Sequence, residues 1–203
     1  MKAVLKELNM DDKMFPPKYV LGFISREKDN YCTPEDMQKR VWENGDYRLD
    51  PIVKAYRLYQ RKLKENNALD FDDLIFMTVK LLQENEDTRT RYQRKFKYIV
   101  VDEYQDTNHL QYLLTSLLAG GYENICVVGD DDQSIYRFRG ATIANILDFE
   151  KHFPDAQVIK LEQNYRSTEN ILNAANAVIR NNHQRKDKAL WSDLGEGEKI
   201  KCC

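Results

Sequence analysis

Three clusters of side chains in this 203-residue chain have the types and spacing to work on a phosphate. The first is Asp102-Glu103, adjacent carboxylates that end the apolar run Tyr98-Ile-Val-Val101 and open the stretch that continues to Asn108. Open α/β sheets bind ligands outside the carboxyl ends of their strands, and adjacent acids there suit a hydrated magnesium ion and an attacking water. The second is the acid triplet Asp130-Asp131-Asp132, followed by Gln133. Contiguous carboxylates repel one another unless solvated or near a cation, so a place beside bound magnesium is a reasonable reading. Their spacing is not that of an EF-hand loop. The third is Arg166, in Leu161-Glu-Gln-Asn-Tyr-Arg-Ser-Thr168, whose planar guanidinium matches phosphate better than a lysine does. Each cluster also has a plainer reading. Asp106 or Thr107 would cap the next helix, Ile135, Tyr136 and Phe138 would pack under a loop, and Arg166 would pair with Glu162 or Glu169.

The elements that must position these groups follow from periodicity. Tyr98 to Val101 is β-branched or aromatic throughout and is expected to be a strand buried on both faces, as in parallel sheets. Ile125 to Val128 and Val158 to Leu161 read as second and third strands. Helices are expected from His109 to Leu118, stopped by Gly120-Gly121, from Thr142 to Lys151, and from Thr168 to Asn181. This alternation argues for parallel α/β architecture. The tail from Gly195 has room only to begin a further strand. Upstream the pattern is all helical. Residues 2–9, 18–28, 34–42, 52–66 and 74–82 carry apolar residues at helical spacing. Thr33-Pro34-Glu35-Asp36 is a helix start with Asp36 in the capping-box slot. The helix from Ile52 interleaves Lys54, Arg57, Arg61, Lys62 and Lys64 with Tyr56 and Tyr59. That mixture suits either a phosphate backbone or a solvated face.

Composition bounds the partners. Charged residues make up 32% of the chain, yet the net charge is only −2. Residues 1–97 hold 20 Lys and Arg against 17 Asp and Glu, and residues 98–203 hold 11 against 16, an imbalance too mild to establish a nucleic-acid surface but one that would place any such surface in the first half. No apolar run approaches a membrane span or a signal-peptide core, and a cytoplasmic protein is expected. Cys32, Cys126, Cys202 and Cys203 have no zinc-ligand spacing and read as free thiols.

Three stretches, in order, resemble motifs of the UvrD, PcrA and Rep type of DNA helicase. Tyr98–Asn108 resembles the Walker B element, Val128-Gly-Asp-Asp-Asp-Gln-Ser-Ile-Tyr-Arg-Phe-Arg-Gly-Ala141 the motif coupling nucleotide to DNA, and Leu161–Thr168 a motif of the second motor domain. Leu69 to Leu74 also resembles a family segment upstream of Walker B, although helix capping explains it. The resemblance implies a partial RecA-like (P-loop NTPase) parallel sheet with an N-terminal all-helical insertion subdomain. Residues 1–68 would be that subdomain, 69–156 the C-terminal part of the first motor domain, and 157–203 the start of the second. It further implies that Asp102 holds Mg2+ and that Glu103 acts on water. Gln133 would meet the γ-phosphate or the water, Tyr165 would stack on adenine, and Arg166 would be an arginine finger. Tyr136, Phe138 and Arg139 would lie along single-stranded DNA. Phe138 stands where the family often has tryptophan, a smaller stacking face.

The implied activity is ATP-dependent 3′-to-5′ translocation on single-stranded DNA with duplex unwinding at a junction, in repair or replication and alongside proteins of those processes. ATP and Mg2+ would be the cofactors. A Walker A loop, Gly-x-x-x-x-Gly-Lys-Ser/Thr, is needed for such a motor, and none of the eight glycines precedes a lysine. The expectation is therefore an internal piece of a helicase that is inactive alone, with a non-catalytic DNA- or partner-binding module as the alternative.

Overall fold

The computed structural model describes residues 1–135, 140–182, 186 and 188–201. The first half is helical: α1 (Lys2–Glu7), α2 (Pro17–Asp29), α3 (Pro34–Asn44), α4 (Asp50–Glu65), α5 (Phe71–Glu84) and α6 (Glu86–Lys95). The start signal before α3 is present as written in the sequence. Thr33 accepts from the Asp36 amide, Asp36 accepts from the Thr33 amide, and Gly45 ends the helix at φ 68°. Val4, Leu5, Val20, Ile24, Met37, Val41, Ile52, Val53 and Tyr56 form one apolar cluster drawn from α1 to α4. A second cluster, Phe76, Val79 and Leu110, joins α5 to the helix after the first strand.

α5 begins three residues earlier than apolar spacing suggests, because Asp70 and Asp73 cap its first turn reciprocally. Both acids also receive a buried cation. Lys28 of α2 is fully buried and lies 2.6 Å from Asp70 and 2.8 Å from Asp73. Its ammonium also sits 5.5 Å from the centre of the Tyr59 ring. The α2–α5 junction is thus an ion pair inside an apolar setting, where every charge must be matched.

The alternation expected from Tyr98 onward is realised in part. β1 (Ile99–Val101) and β2 (Ile125–Val127) pair in parallel, Val100 opposite Cys126, and α7 (His109–Ala119) connects them. α8 (Ala144–Leu147), α9 (Phe149–His152) and α10 (Glu169–Ile179) follow. Four expectations are corrected. β1 is not buried on both faces: Val100 is 73% exposed, because nothing among the described residues covers that side of a two-stranded sheet. Residues 158–161 form no strand, since no strand among the described residues pairs with them; Ile159 and Leu161 are each 78% exposed, and an isolated bridge lies just beyond, between Gln163 and Trp191. The single helix expected over 142–151 is two short ones, interrupted at Asp148. α7 is capped by Asn108, in a reciprocal box with Gln111, rather than by Asp106 or Thr107. No helix among the described residues is long and apolar enough to cross a membrane.

Candidate active site

β1 delivers Asp102 and Glu103 to the surface, and both side chains are exposed. Glu103 takes a left-handed backbone, φ 51°, which costs a non-glycine residue roughly 1–2 kcal/mol. The turn sends the chain into a 3-10 turn, Tyr104–Asp106, whose first two side chains are only 1% exposed. The Tyr104 amide donates to the Val128 carbonyl at 2.9 Å, and the Val128 amide to the Val101 carbonyl at 2.8 Å. The loops leaving β1 and β2 are therefore held side by side.

Gln105 joins them more closely. Its Nε2 donates to Glu103 Oε2 at 2.7 Å, and its Oε1 accepts from the Asp130 amide at 3.0 Å. Gly129 makes room for this crossing: a Cβ there would lie 2.6 Å from Gln105 Oε1 and 2.8 Å from Ile146 Cδ1. Asp130 in turn accepts from Gln133 Nε2 at 2.7 Å. Glu103 and Gln133, singled out separately in the sequence, thus belong to one hydrogen-bonded chain. Asn145 braces the far side, donating to the Thr107 carbonyl and hydroxyl, both at 3.1 Å.

The acid triplet has a cation of its own. Lys188 Nζ contacts Asp130, lies 3.2 Å from Asp131 Oδ1 and lies 3.3 Å from Asp132 Oδ2. Burial pushes the Asp130 carboxyl up, but hydrogen bonds from Lys188 and Gln133 outweigh it and hold the group below the usual carboxylate range. Burial likewise pushes Lys188 down, and its pairing with Asp130 and Asp131 raises it above the ordinary lysine value. The triplet's oxygens lie within 4.8 Å of one another, but a lysine ammonium stands where a metal would be sought.

Magnesium is better matched by the first cluster. Asp102 and Glu103 offer exposed carboxylate oxygens, the donors that magnesium takes. Nearby Asp106 has a buried oxygen, Oδ1, with no hydrogen-bond partner among the described residues. By donor type Asp102 and Glu103 fit the metal, which takes one or two carboxylates beside water and phosphate oxygens. The amides and lysine that would cradle nucleotide phosphates have no Gly-Lys sequence to supply them here.

Tyr165 and Arg166 are exposed on the turn before α10. Asn164 Oδ1 accepts from the Arg166 and Ser167 amides, at 2.9 and 2.8 Å, and Tyr165 donates to Gln163 Oε1 at 2.8 Å. Among the described residues Arg166 forms no ion pair with Glu162 or Glu169, and no hydrogen bond links it to Asp102 or Glu103. Tyr136, Phe138 and Arg139 lie outside the described residues. Sequence reasoning missed Gln105 and Lys188. Gln105 lies within the first motif, but its burial and partners are not written there, and Lys188 carries no local signal.

Residues 1–154 match the family model described as the UvrD/REP helicase N-terminal domain, and residues 159–203 match the UvrD-like helicase C-terminal domain. Over 199 residues, 98% of this chain, the sequence is 54% identical to proteins named ATP-dependent DNA helicase PcrA. Those of Staphylococcus epidermidis (strain ATCC 12228) and Staphylococcus aureus (strain COL) are each covered over 27% of their length, and that of Bacillus subtilis (strain 168) over 26%. The chain spans about a quarter of the length of these relatives.

Proposed function

The chain belongs to the UvrD/REP helicase family, and on that premise we propose that it is the hydrolysis-and-coupling segment of a longer, cytoplasmic, ATP-dependent DNA motor. That motor moves 3′ to 5′ along single-stranded DNA and unwinds duplex at a junction, in repair or replication. The observation that carries this reading is the chain Glu103–Gln105–Asp130–Gln133, which ties the carboxylate at the end of β1 to the loop after β2.

In this reading residues 1–68 are the helical insertion, 69–156 the C-terminal part of a first RecA-like domain, and 157–203 the start of a second. Asp102 holds the magnesium, which when bound offsets the charge of the ATP phosphates. Glu103 orients the attacking water and takes up its proton. Gln133 contacts that water or the γ-phosphate. Tyr165 stacks on adenine, and Arg166 approaches the transferring phosphoryl group. Tyr136, Phe138 and Arg139 follow the DNA strand.

In the complete motor, Glu103→Gln should leave Mg-ATP affinity within about threefold while removing about 10²-fold or more of the hydrolysis, the usual contribution of general-base catalysis. Normal turnover by this variant would reject the assignment. The alternative is a module that binds DNA or protein partners without hydrolysis. The complete motor discriminates. DNA-stimulated ATPase that Glu103→Gln abolishes would eliminate the module, and DNA binding without turnover would eliminate the motor.

A further inference from the structure

We infer that Gln105 is the positioning residue for Glu103 and the link through which the loop after β2 sets the aim of that carboxylate. The inference rests on the role given to Glu103 above.

Gln105 is 1% exposed, so both ends of its amide must find partners within the protein. The partners fix its orientation without ambiguity. A carboxylate can only accept and a backbone amide can only donate, so Nε2 faces Glu103 and Oε1 faces Asp130 N. Few side chains can do both at this length. Glutamate would present an acceptor to an acceptor, methionine would satisfy neither, and asparagine is one methylene too short. Gly129 is the second observation. The amide lies across its bare backbone so closely that an alanine Cβ would stand 2.6 Å from Oε1.

Glu103 needs such a tether. Its side chain is exposed and leaves a left-handed residue at a turn, so without Gln105 its rotamers are unrestrained. The tether's other end is not fixed to β1. It is the amide of Asp130, three residues before Gln133 in the loop after β2, and Ser134 Oγ also donates to the Gln105 carbonyl at 3.4 Å. Displacing that loop therefore displaces Asp130 N, then the buried amide, then the carboxylate. In this way the position of the 130–135 segment is read out at Glu103.

The test is made in the complete motor with saturating single-stranded DNA, measuring kcat, the KM for Mg-ATP and thermal unfolding. Gln105→Glu keeps the size and the acceptor for Asp130 N but turns the tether into a repulsion. It should lower kcat by about 10- to 100-fold, the scale of a misplacement near 1 Å, with KM within about twofold. In a Glu103→Gln background it should cost no more than about twofold further, since the group it positions is gone. Gln105→Met, which keeps length and drops both hydrogen bonds, should show the same split.

Wild-type kcat in folded Gln105→Glu and Gln105→Met, or losses that multiply in the double variant, would overturn the inference while leaving Glu103 catalytic. Wild-type turnover by Glu103→Gln itself would overturn the functional reading and the inference with it. Failure of both Gln105 variants to fold would make the residue a folding determinant and overturn the positioning role.

Discussion

Lys188 Nζ stands 3.2 Å from Asp131 Oδ1, so a lysine from the stretch matching the C-terminal family domain closes over acids from the stretch matching the N-terminal one. The same ammonium meets Asp130 and Asp132, and the Lys186 amide donates to Asp131 Oδ2 at 2.7 Å. Chain segments 55 residues apart in sequence are joined where three like charges would otherwise repel.

Lys188→Met should therefore destabilise the chain, by about 2 kcal/mol. That is less than the roughly 3–5 kcal/mol of breaking a fully buried pair, because Asp130 is 30% exposed. The pH dependence follows from the two shifts. Asp130 is lowered from 3.8, so its contribution is complete above that value and is lost as pH falls through the folded pKa beneath it. Lys188 is raised from 10.5, so its contribution is complete below that value and is lost as pH rises through the folded pKa above it. Urea titrations of wild type and variant should differ by a constant amount from pH 5 to 9 and converge in stronger acid. A difference that varies across the neutral range would contradict this.

Lys28→Met should cost more, about 3–5 kcal/mol, since Lys28 is fully buried and its loss leaves Asp70 and Asp73 without their cation at the start of α5. The triple variant Lys28→Met, Asp70→Asn, Asp73→Asn should recover much of that stability, because it removes the unpaired charge. Chemical denaturation measures both. A single variant as stable as the wild type would show that the carboxylates find other partners.

Asp29 supplies a pH dependence of opposite sign. Burial, and next the charge of Asp72, push its carboxyl up to about 6. Its Oδ1 accepts from Asn108 Nδ2 at 2.8 Å, and Oδ2 faces Gly140, where a Cβ would lie 3.2 Å away. A raised carboxylate pKa means that the folded state holds the proton more tightly, so stability falls as pH rises from about 4 to 6 and then levels. Asp29→Asn should flatten that slope and stabilise the chain at pH 7. An unchanged slope in thermal melts between pH 4 and 7 would rule out Asp29 as its source.

What was legible beforehand was local. Thr33-Pro34 wrote the start of α3, the β-branched run wrote β1, and Gly120-Gly121 marked the end of α7. α6 escaped because Glu86–Lys95 buries no residue and offers no apolar stripe to read. The strand expected at 158–161 has the right residues but no neighbour, and pairing is a property of the sheet rather than of the segment. The carboxylates were found by motif, whereas their partners were not. Gln105 and Lys188 act through contacts that exist only after two loops and two distant segments have been brought together.

Arg166 offers the sharpest separation of chemistry from folding. It is exposed and, among the described residues, its guanidinium pairs with neither neighbouring glutamate, so the plainer reading as a local ion pair loses its footing. Its place in the turn is set by its backbone, which donates to Asn164 Oδ1 whatever side chain it bears. Arg166→Lys should consequently change stability by less than about 0.5 kcal/mol, as expected of a surface residue with no structural partner. If Arg166 approaches the phosphoryl group only when nucleotide draws the two domains together, its planar charge favours the transition state over bound ATP. A lysine cannot reproduce that fork. In the complete motor with saturating single-stranded DNA, the variant should therefore lose kcat by about 10³-fold, the lower end for an arginine finger, while its Kd for ATP rises far less. Near-normal kcat would refute the role, and parallel changes in kcat and ATP affinity would make Arg166 a ground-state phosphate contact.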